Sequence, residues 1–282
     1  MRITYTSDLH GHLDSYRALV ALAVQTASAA VVVGGDLLPR TISRESAIQV
    51  QRRFIEESLA PLLVEVRTTH PHLAIYLLPG NDDWAAAIAS LERLAADGLC
   101  WLLHENVYPL GHDTWIAGYA CVPLTPFSIK DYERYDDVDH VVPAIWSVAY
   151  TSQRGFPEPI SAEEILQRPS IGDELANLAT RSDPARTIYV CHAPPYDTGL
   201  DLMRARHSGS RALRRFIEYH QPPLTLHGHI HESPRFSKHY AEQIGVTWCI
   251  NPGHEETRFS AVTFDSDDLP GTIQHTLYGD VW

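Results

Sequence analysis

The first twelve residues, Met1–His12, read MRITYTSDLHGH. The apolar and β-branched run Arg2–Ser7 predicts a strand, and a polar group containing Asp8 and His10 follows it directly. In an extended chain, side chains two residues apart point to the same side, so we expect Asp8 and His10 to face one site. From Leu13 to about Ala29, apolar residues recur at helical spacing. The sequence therefore opens with a predicted strand, a polar loop and a helix.

The same unit occurs twice more in the first half of the chain. The apolar run Ala30–Val33 ends in two glycines and Asp36, and it leads into a long helical pattern from Ser43 to about Val66. The predicted strand Leu73–Leu78 ends in a loop that contains Asn81. Because ligands of open α/β sheets gather at the carboxyl ends of the strands, we expect these loops to meet at one edge.

Two predicted strands of the second half also end in histidines. Thr187–Val190 is followed by Cys191 and His192. Leu224–Leu226 is followed by His229 and His231, which repeat the two-residue spacing of the first loop. We therefore expect these imidazoles to join the polar side chains of the first half.

An irregular stretch from Cys121 to about Pro159 interrupts this pattern. We interpret residues 121–160 as an insert within a single domain of residues 1–282. The insert is either a lid over the site, which would set substrate choice, or a contact between the subunits of a homo-oligomer. For the second alternative, four of its aromatic side chains would form an apolar patch: Phe127, Tyr132, Tyr135 and Trp146.

The polar side chains at these strand ends are typical metal ligands. The seven candidates are Asp8, His10, Asp36, Asn81, His192, His229 and His231. Oxygen and imidazole donors without a thiolate favour Mn²⁺, Fe, Zn²⁺, Co²⁺ or Ni²⁺ over Ca²⁺. Seven such groups can hold two divalent metal ions if one carboxylate bridges them. Two ions about 3.5–4 Å apart can clamp a phosphoryl group and lower the pKa of a bridging water.

Five motifs, taken in order, carry a resemblance to a known family. Between Asp8 and His231, the motifs D-x-H, G-G-D, G-N-x-D, C-H-A-P-P and G-H-I-H resemble those of the calcineurin-like metallophosphoesterases. The resemblance implies an α/β fold of four layers, α/β/β/α, with two mixed sheets flanked by helices. It implies one metal ion held by Asp8, His10, Asp36 and His231. It implies a second ion held by Asp36, Asn81, His192 and His229, with Asp36 as the bridge.

One position departs from the family pattern. Family members commonly have His after the Asn, as a group that stabilises the transition state or protonates the leaving group, whereas this chain has Asp82. A carboxylate near two cations stays ionised and is a poor general acid at neutral pH. Similar family members that lack this His are often phosphodiesterases. The resemblance therefore implies a metal-dependent phosphodiesterase with a metal-bridging hydroxide as nucleophile and with Asn81 and Asp82 as catalytic residues.

Two alternatives to a phosphodiesterase stay open. The same site suits a phosphomonoesterase or protein phosphatase. Some family relatives keep the fold and serve as non-catalytic interaction scaffolds, and the presence of Asp82 supports that interpretation. All seven ligands are intact, however, and burying them without metal would be unfavourable.

A segment before the predicted helix Ser210–Tyr219 adds candidates for substrate contacts. His207 is a candidate proton donor, and Arg204, Arg206 and Arg211 are candidate phosphate contacts. The backbone N–H groups at the start of the helix could also meet a phosphate. The alternative is that Ser208 or Ser210 caps the helix and the arginines are solvated.

Composition restricts the partners of the chain. The formal net charge is −13 over 282 residues, which argues against binding of long nucleic acids and favours a small-molecule phosphoester. The four cysteines form no C-x-x-C pair, and no apolar run approaches the length of a membrane span. We therefore expect a cytoplasmic protein with reduced, buried thiols.

Overall fold

The computed structural model describes residues 1–40, 43–136 and 148–280. The described strands are β1 (Arg2–Thr6), β2 (Ala30–Val33), β3 (Ala74–Leu77), β4 (Trp101–Leu102), β5 (Val107–Pro109), β6 (Trp115–Tyr119), β7 (Val122–Pro123), β8 (Glu133–Arg134), β9 (Tyr150–Thr151), β10 (Glu158–Pro159), β11 (Thr187–Cys191), β12 (Leu202–Met203), β13 (Arg206–His207), β14 (Leu224–Leu226), β15 (Ala241–Ile244), β16 (Thr247–Ile250), β17 (Val262–Asp265), β18 (Gln274–His275) and β19 (Gly279–Asp280). The described helices are α1 (Leu13–Gln25), α2 (Arg44–Phe54), α3 (Ala60–Thr69), α4 (Ala85–Ala96), α5 (Ala162–Leu166), α6 (Ile171–Ala179), α7 (Arg211–His220), α8 (Ser233–Ser237) and α9 (Leu269–Thr272).

Most of these strands form two large mixed sheets. The first has the order β19–β18–β17–β1–β2–β3–β4, in which β1 to β4 run parallel and β17 pairs antiparallel with β1. The second has the order β15–β16–β14–β11–β6–β5, with four parallel central strands and an antiparallel strand at each edge. Both sheets therefore combine parallel and antiparallel pairs.

Side chains of the two sheets share one buried cluster. Tyr5 of β1, Val32 of β2, Tyr189 of β11 and Leu226 of β14 belong to it and are fully buried. The helices α1 and α4 contact the first sheet, and Phe216 of α7 packs edge-on against Tyr189. The four-layer α/β/β/α arrangement expected from the sequence is confirmed.

The parallel strands are buried on both faces. All four residues of β2 and all five of β11 are buried. Parallel strands covered on both sides have continuous apolar sequences of this kind. The Tyr5 hydroxyl of β1 donates to the carbonyl of His227 after β14 (2.7 Å), so the carboxyl ends of the two sheets are joined directly.

The helices largely follow the sequence pattern. The helix predicted from Ser43 begins at Arg44 and continues through a π-helical turn, Ile55–Leu59, to Thr69. None of the described helices is long and apolar enough to cross a membrane.

The insert is anchored to the rest of the chain by a buried carboxylate. The Oδ2 atom of Asp131 accepts hydrogen bonds from Ala85 N (2.9 Å) and Ser152 Oγ (2.5 Å). Its Oδ1 atom accepts from Ser152 N (2.8 Å) and Thr151 Oγ1 (2.6 Å). Because Ala85 is the first residue of α4, Asp131 ties both described parts of the insert to the helix that follows the third ligand loop.

The apolar patch predicted on the insert is wrong in part. Tyr132 is buried in the main cluster, with its ring edge-on to His104, and cannot contact a second subunit. Phe127 is exposed, and Tyr135 is half-buried against a small second cluster. Trp146 lies outside the described residues.

Replacing Asp131 by Ala should destabilise the fold, because four donors would lose a buried acceptor. We expect the free energy of unfolding to fall by about 3 kcal/mol, measured by urea denaturation. The control Asp97→Ala changes an exposed carboxylate at the end of α4. It should shift the free energy of unfolding by less than about 0.5 kcal/mol. Equal effects of the two substitutions would contradict the anchoring role.

Candidate metal centre

The predicted ligands lie in loops with left-handed backbone. The φ angles are 60° at Asp8, 45° at His10, 49° at Asp36 and 63° at His229. The expectation that strand alternation orients Asp8 and His10 is therefore wrong, since β1 ends at Thr6. This conformation costs L-residues roughly 1–2 kcal/mol each, and such strain is commonly found at functional sites.

Backbone hydrogen bonds between the loops hold these conformations. Asp8 N donates to Gly35 O (2.9 Å), and His10 N donates to Asp36 O (2.8 Å). The loop after β14 is also held, because His229 N donates to both carboxylate oxygens of Asp8 (3.2 and 3.1 Å). The loops of the first sheet are thus fixed against each other and against a loop of the second sheet.

Three glycines make room for the ligand side chains, and at the first of them, Gly35, a Cβ atom would overlap the His192 ring. A Cβ atom at Gly80 would overlap the Asp36 carboxylate and the His192 ring, and one at Gly228 would overlap the Asp8 carboxylate. Only glycine permits so close an approach of backbone to side chain. This explains why a glycine directly precedes three of the ligands: Asp36, Asn81 and His229.

A third buried carboxylate joins two ligand loops. Asp83 Oδ2 accepts hydrogen bonds from Gly80 N (2.9 Å) and Leu37 N (3.0 Å), and its Oδ1 accepts from Leu38 N (2.9 Å). Burial and then the charge of Asp36 raise the pKa of Asp83 to about 8. Asp83 therefore fixes the loop after β3 against the loop after β2.

Four predicted ligands converge at one point. One ligand atom from each of Asp8, His10, Asp36 and His231 lies within 4.8 Å of the others. His231 Nε2 is 3.0 Å from Asp8 Oδ1 and 3.3 Å from His10 Nε2. These spacings suit donors that share an ion about 2.1 Å away.

The two carboxylate oxygens of Asp36 face different imidazoles. Its Oδ2 atom is 3.9 Å from His10 Nε2, whereas its Oδ1 atom is 3.5 Å from His192 Nε2. The ring centroids of His192 and His229 are 5.4 Å apart. Asp36 therefore lies between the first group of ligands and the imidazoles of the second.

Hydrogen bonds orient two of the remaining candidate metal ligands, His192 and Asn81. His192 Nδ1 bonds to the Gly34 carbonyl (2.9 Å), which directs Nε2 toward Asp36. Asn81 Nδ2 donates to Asp82 Oδ1 (3.2 Å), so Asn81 turns its Oδ1 away from that bond. His192 Nε2 and Asn81 Oδ1 are both buried without a hydrogen-bond partner. An unpaired buried polar atom is unfavourable. These two atoms are therefore suited to bind a divalent ion.

The buried groups shift one another's ionisation. Burial lowers the pKa of His10 to about 4 and, with the charge of His192, that of His229 to about 3. Against the effect of burial, Asp36 raises the pKa of His192 to about 9. His192 in turn holds the pKa of Asp36 below its usual range, and His231 does the same for Asp8, although burial opposes both effects.

Asp82, which follows the candidate ligand Asn81, pairs with Arg40. The Arg40 side chain donates through Nε to Asp82 Oδ2, while Asp82 Oδ1 accepts from Asn81. Burial and then Asp36 raise the pKa of Asp82 to about 6, and Arg40 opposes this effect. The protein groups around Asp82 therefore raise its pKa, whereas the sequence-based expectation of a low pKa rested on two nearby metal cations.

Two cavities adjoin the ligands and share part of their wall. The insert-side cavity has a volume of about 430 Å³, and its lining includes Asp36, Asn81, His229, residues 123–127, Tyr196, Met203, His207 and Arg211. The histidine-side cavity has a volume of about 920 Å³, and its lining includes His10, His12, Arg235, His254, Glu255 and Tyr278. Arg40, His231 and Glu232 line both cavities.

Comparison with known proteins assigns the family. A family model described as calcineurin-like phosphoesterase matches residues 1–233. The chain belongs to this family. This phosphoesterase has no significant match among curated proteins. Members of the family use divalent metals, in agreement with the ligand group at Asp8, His10, Asp36 and His231.

Solved structures of low sequence identity share the fold. The protein TT1561 of Thermus thermophilus is 19% identical, with 97% of each chain covered and a TM-score of 0.58. A dimetal phosphatase from Danio rerio is 12% identical, with 93% of this chain and 92% of that chain covered and a TM-score of 0.53. At these identities the likeness concerns the fold alone.

The predicted substrate contacts of this phosphoesterase separate into two groups. His207 and Arg211 line the insert-side cavity; His207 Nδ1 is 2.7 Å from Asp201 Oδ1. Arg204 and Arg206 are exposed in the hairpin of β12 and β13, and neither is among the residues that line the two cavities.

The expectation that the start of α7 meets a phosphate is wrong. Asp136 already accepts hydrogen bonds from Arg211 N (2.7 Å) and from the hydroxyl of Ser210. Ser210 caps the helix, since its Oγ accepts from Leu213 N (3.0 Å). The capping alternative is confirmed for Ser210.

Sequence reasoning missed two site residues, Arg40 and His254, and Asn251 supports the same site. Arg40 follows Asp36 by four residues on the same loop, a signal that was available. The ring centroid of His254 is 5.3 Å from that of His231, and His254 N donates to His231 O (3.1 Å). Asn251 Nδ2 donates to Ile230 O (3.2 Å) and supports the loop that carries His231. The last two contacts join positions about 20 residues apart and have no local signal.

Metal addition should stabilise the protein through Asp36. With Mn²⁺ at 100 times its dissociation constant, we expect about 2.7 kcal/mol of stabilisation, measured as a rise in the melting temperature. Asp36→Asn should remove most of this rise, because Asp36 lies between both groups of ligands. Asp14→Asn changes an exposed carboxylate of α1 and should leave the metal-dependent rise in melting temperature intact. The same rise in both variants would count against Asp36 as a ligand.

Proposed function

We propose that the chain is a phosphodiesterase that works with two divalent metal ions. The observation that carries this proposal is the pair of cavities that share Arg40, His231 and Glu232 beside the ligands. A diester has two alcohol arms on one phosphorus, so it needs space on two sides of the phosphoryl group. A monoester needs space on one side only.

The proposed ligand sets follow the geometry of Asp36. Asp8, His10, Asp36 and His231 would hold one ion, and Asp36, Asn81, His192 and His229 would hold the other. When bound, a pair of divalent ions lowers the pKa of water and neutralises charge on a phosphoryl group. The residue types fit Mn²⁺, Fe, Zn²⁺, Co²⁺ or Ni²⁺.

Arg40 would bind a phosphoryl oxygen. Its side chain is 56% exposed and borders both cavities, so its guanidinium can reach a group held between them. Its pairing with Asp82 restricts the rotation of the side chain. In this proposal Asp82 is a positioning residue that also orients the Asn81 amide.

His207 would assist departure of the alcohol. It lines the insert-side cavity, and Asp201 binds its Nδ1 atom. The other ring nitrogen, Nε2, is 3.5 Å from Asp197 Oδ1 and is the atom that would give a proton to the leaving oxygen. Arg211 lines the same cavity as a further substrate contact, whereas the exposure of Arg204 and Arg206 argues against a direct contact.

The insert would act as a fixed wall of the site. Residues 123–127 line the insert-side cavity, and Asp131 ties the insert to α4. We therefore favour a role of the insert in substrate choice over a contact between subunits. We also propose a reducing, cytoplasmic location, because all four cysteines are buried and free.

A phosphomonoesterase is the second candidate. The Danio rerio relative is described as a dimetal phosphatase, and the same ligand set would serve either ester. The scaffold alternative is weaker, because without an ion His192 Nε2 and Asn81 Oδ1 would stay buried with no partner, which is unfavourable.

Hydrolysis by metal-stripped and metal-resupplied protein tests the function. We expect turnover of bis-p-nitrophenyl phosphate with at least one of Mn²⁺, Zn²⁺, Fe²⁺, Co²⁺ or Ni²⁺, at a higher kcat/KM than p-nitrophenyl phosphate. Asp36→Asn should reduce turnover to background. A higher kcat/KM for the monoester would favour the second candidate, and absence of turnover in folded, metal-loaded protein would favour a scaffold.

Removing the Arg40 side chain should impair phosphoryl binding. We expect Arg40→Ala to lower kcat/KM for the diester about 10- to 100-fold, the value of a charge-assisted hydrogen bond. Asp82→Asn should have a smaller effect that does not add to that of Arg40→Ala, because both disturb one contact. The control Arg17→Ala, on the exposed face of α1, should be neutral. A change of less than twofold in Arg40→Ala would overturn the assignment.

A further inference from the structure

The insert-side cavity has an apolar wall that the proposed reaction does not use. Away from the ligands, this wall consists of Pro123, Leu124, Pro126, Phe127, Tyr196 and Met203. None of the five insert residues 123–127 is charged. We propose that this wall binds an uncharged aromatic ring carried by the alcohol side of the phosphoester, an inference that rests on the proposed function.

Two side chains of the wall, Phe127 and Met203, are exposed although they are large and apolar. Phe127 is 56% exposed and Met203 is 43% exposed. Both line the same cavity as the candidate metal ligands Asp36 and His229. Burial of apolar surface by a ligand is favourable in proportion to the area covered. A ring attached to a phosphoryl group at the ligands would cover these two side chains.

The segment that presents Phe127 is held by a buried ion pair. Lys130 Nζ donates to Glu133 Oε2 (2.7 Å) and to the carbonyl of Thr125 (2.9 Å). Glu133 also accepts from the backbone N (2.7 Å) and hydroxyl (2.5 Å) of Thr125. Phe127 N in turn donates to Thr125 Oγ1 (3.1 Å). The backbone that carries Phe127 is therefore fixed before a ligand arrives, which reduces the entropy lost on binding.

The chemistry of the wall favours a flat ring over an aliphatic chain. Tyr196 is covered on one face by the guanidinium of Arg211, 3.7 Å from the ring centroid. Phe127 offers a second ring and Met203 a thioether, and both groups make favourable contacts with aromatic rings. Asp136, which also lines the cavity, is already bonded to Ser210 and Arg211.

The histidine-side cavity differs in its chemistry. Its lining includes Arg235, Glu255, His12 and His254, which are charged or polar. A polar alcohol arm fits there, whereas an apolar ring would bury those groups without hydrogen bonds. The two cavities therefore distinguish the two arms of a diester.

Binding of two phosphonates tests the inference without turnover. Phenylphosphonate and methylphosphonate would be titrated by calorimetry into the Mn²⁺-loaded protein. We expect phenylphosphonate to bind about tenfold more tightly, equivalent to about 1.4 kcal/mol. In Phe127→Ala and in Met203→Ala this ratio should fall toward one, while the affinity for methylphosphonate stays the same.

Phe156→Ala is the matched control. Phe156 also lies in the insert and is 58% exposed, but it is not among the residues lining the cavity, so the tenfold ratio should persist. Equal binding of both phosphonates to the wild-type protein would overturn the inference, and so would a ratio unaffected by Phe127→Ala. Tighter binding of hexylphosphonate than of phenylphosphonate would overturn the choice of a ring.

Diester hydrolysis, assayed in parallel, separates this inference from the proposed function. Absence of turnover together with the expected phosphonate ratio would overturn the function and support the apolar subsite. Intact turnover with a ratio of one would overturn the subsite alone.

Discussion

The carboxylate of Asp36 is buried between imidazoles that approach it from two directions. His10 lies near one of its oxygens and His192 near the other, at 3.9 and 3.5 Å. An ionised carboxylate in such a place is strongly unfavourable unless cations or hydrogen-bond donors surround it. The left-handed backbone at Asp8 and His10 can be understood from this constraint, because it lets several loops meet around one charge.

Asp82 joins the two ligand loops that follow β2 and β3. Its carboxylate accepts hydrogen bonds from Arg40 and from the Asn81 amide and so holds two neighbours in place. The loop after β2 thereby supplies a cation at the mouth of the site. In the proposed reaction, phosphoryl binding by Arg40 would thus depend on a contact between two loops.

The four-layer scaffold leaves the substrate open, since one fold supports many reactions. The differences lie in the parts that surround the ligands. On one side the insert contributes Phe127 on a segment fixed by buried Lys130 and Glu133. On the other side the segment after β16 contributes His254 and Glu255. These parts, rather than the sheets, give the two cavities their different chemistry.

The sequence by itself determined the family, the α/β architecture and the seven candidate ligands. Each ligand stands in a short motif at the end of an apolar run, and five such motifs in one order are specific. The tertiary structure alone decided the pairing of Arg40 with Asp82 and the position of His254 beside His231. It also corrected the expected geometry at Asp8 and His10 and the supposed phosphate site at α7, where Asp136 is bound. The physical reason is the separation of the contacting residues along the sequence. Periodicity and motif spacing report local conformation, whereas these contacts form only when separate loops pack together.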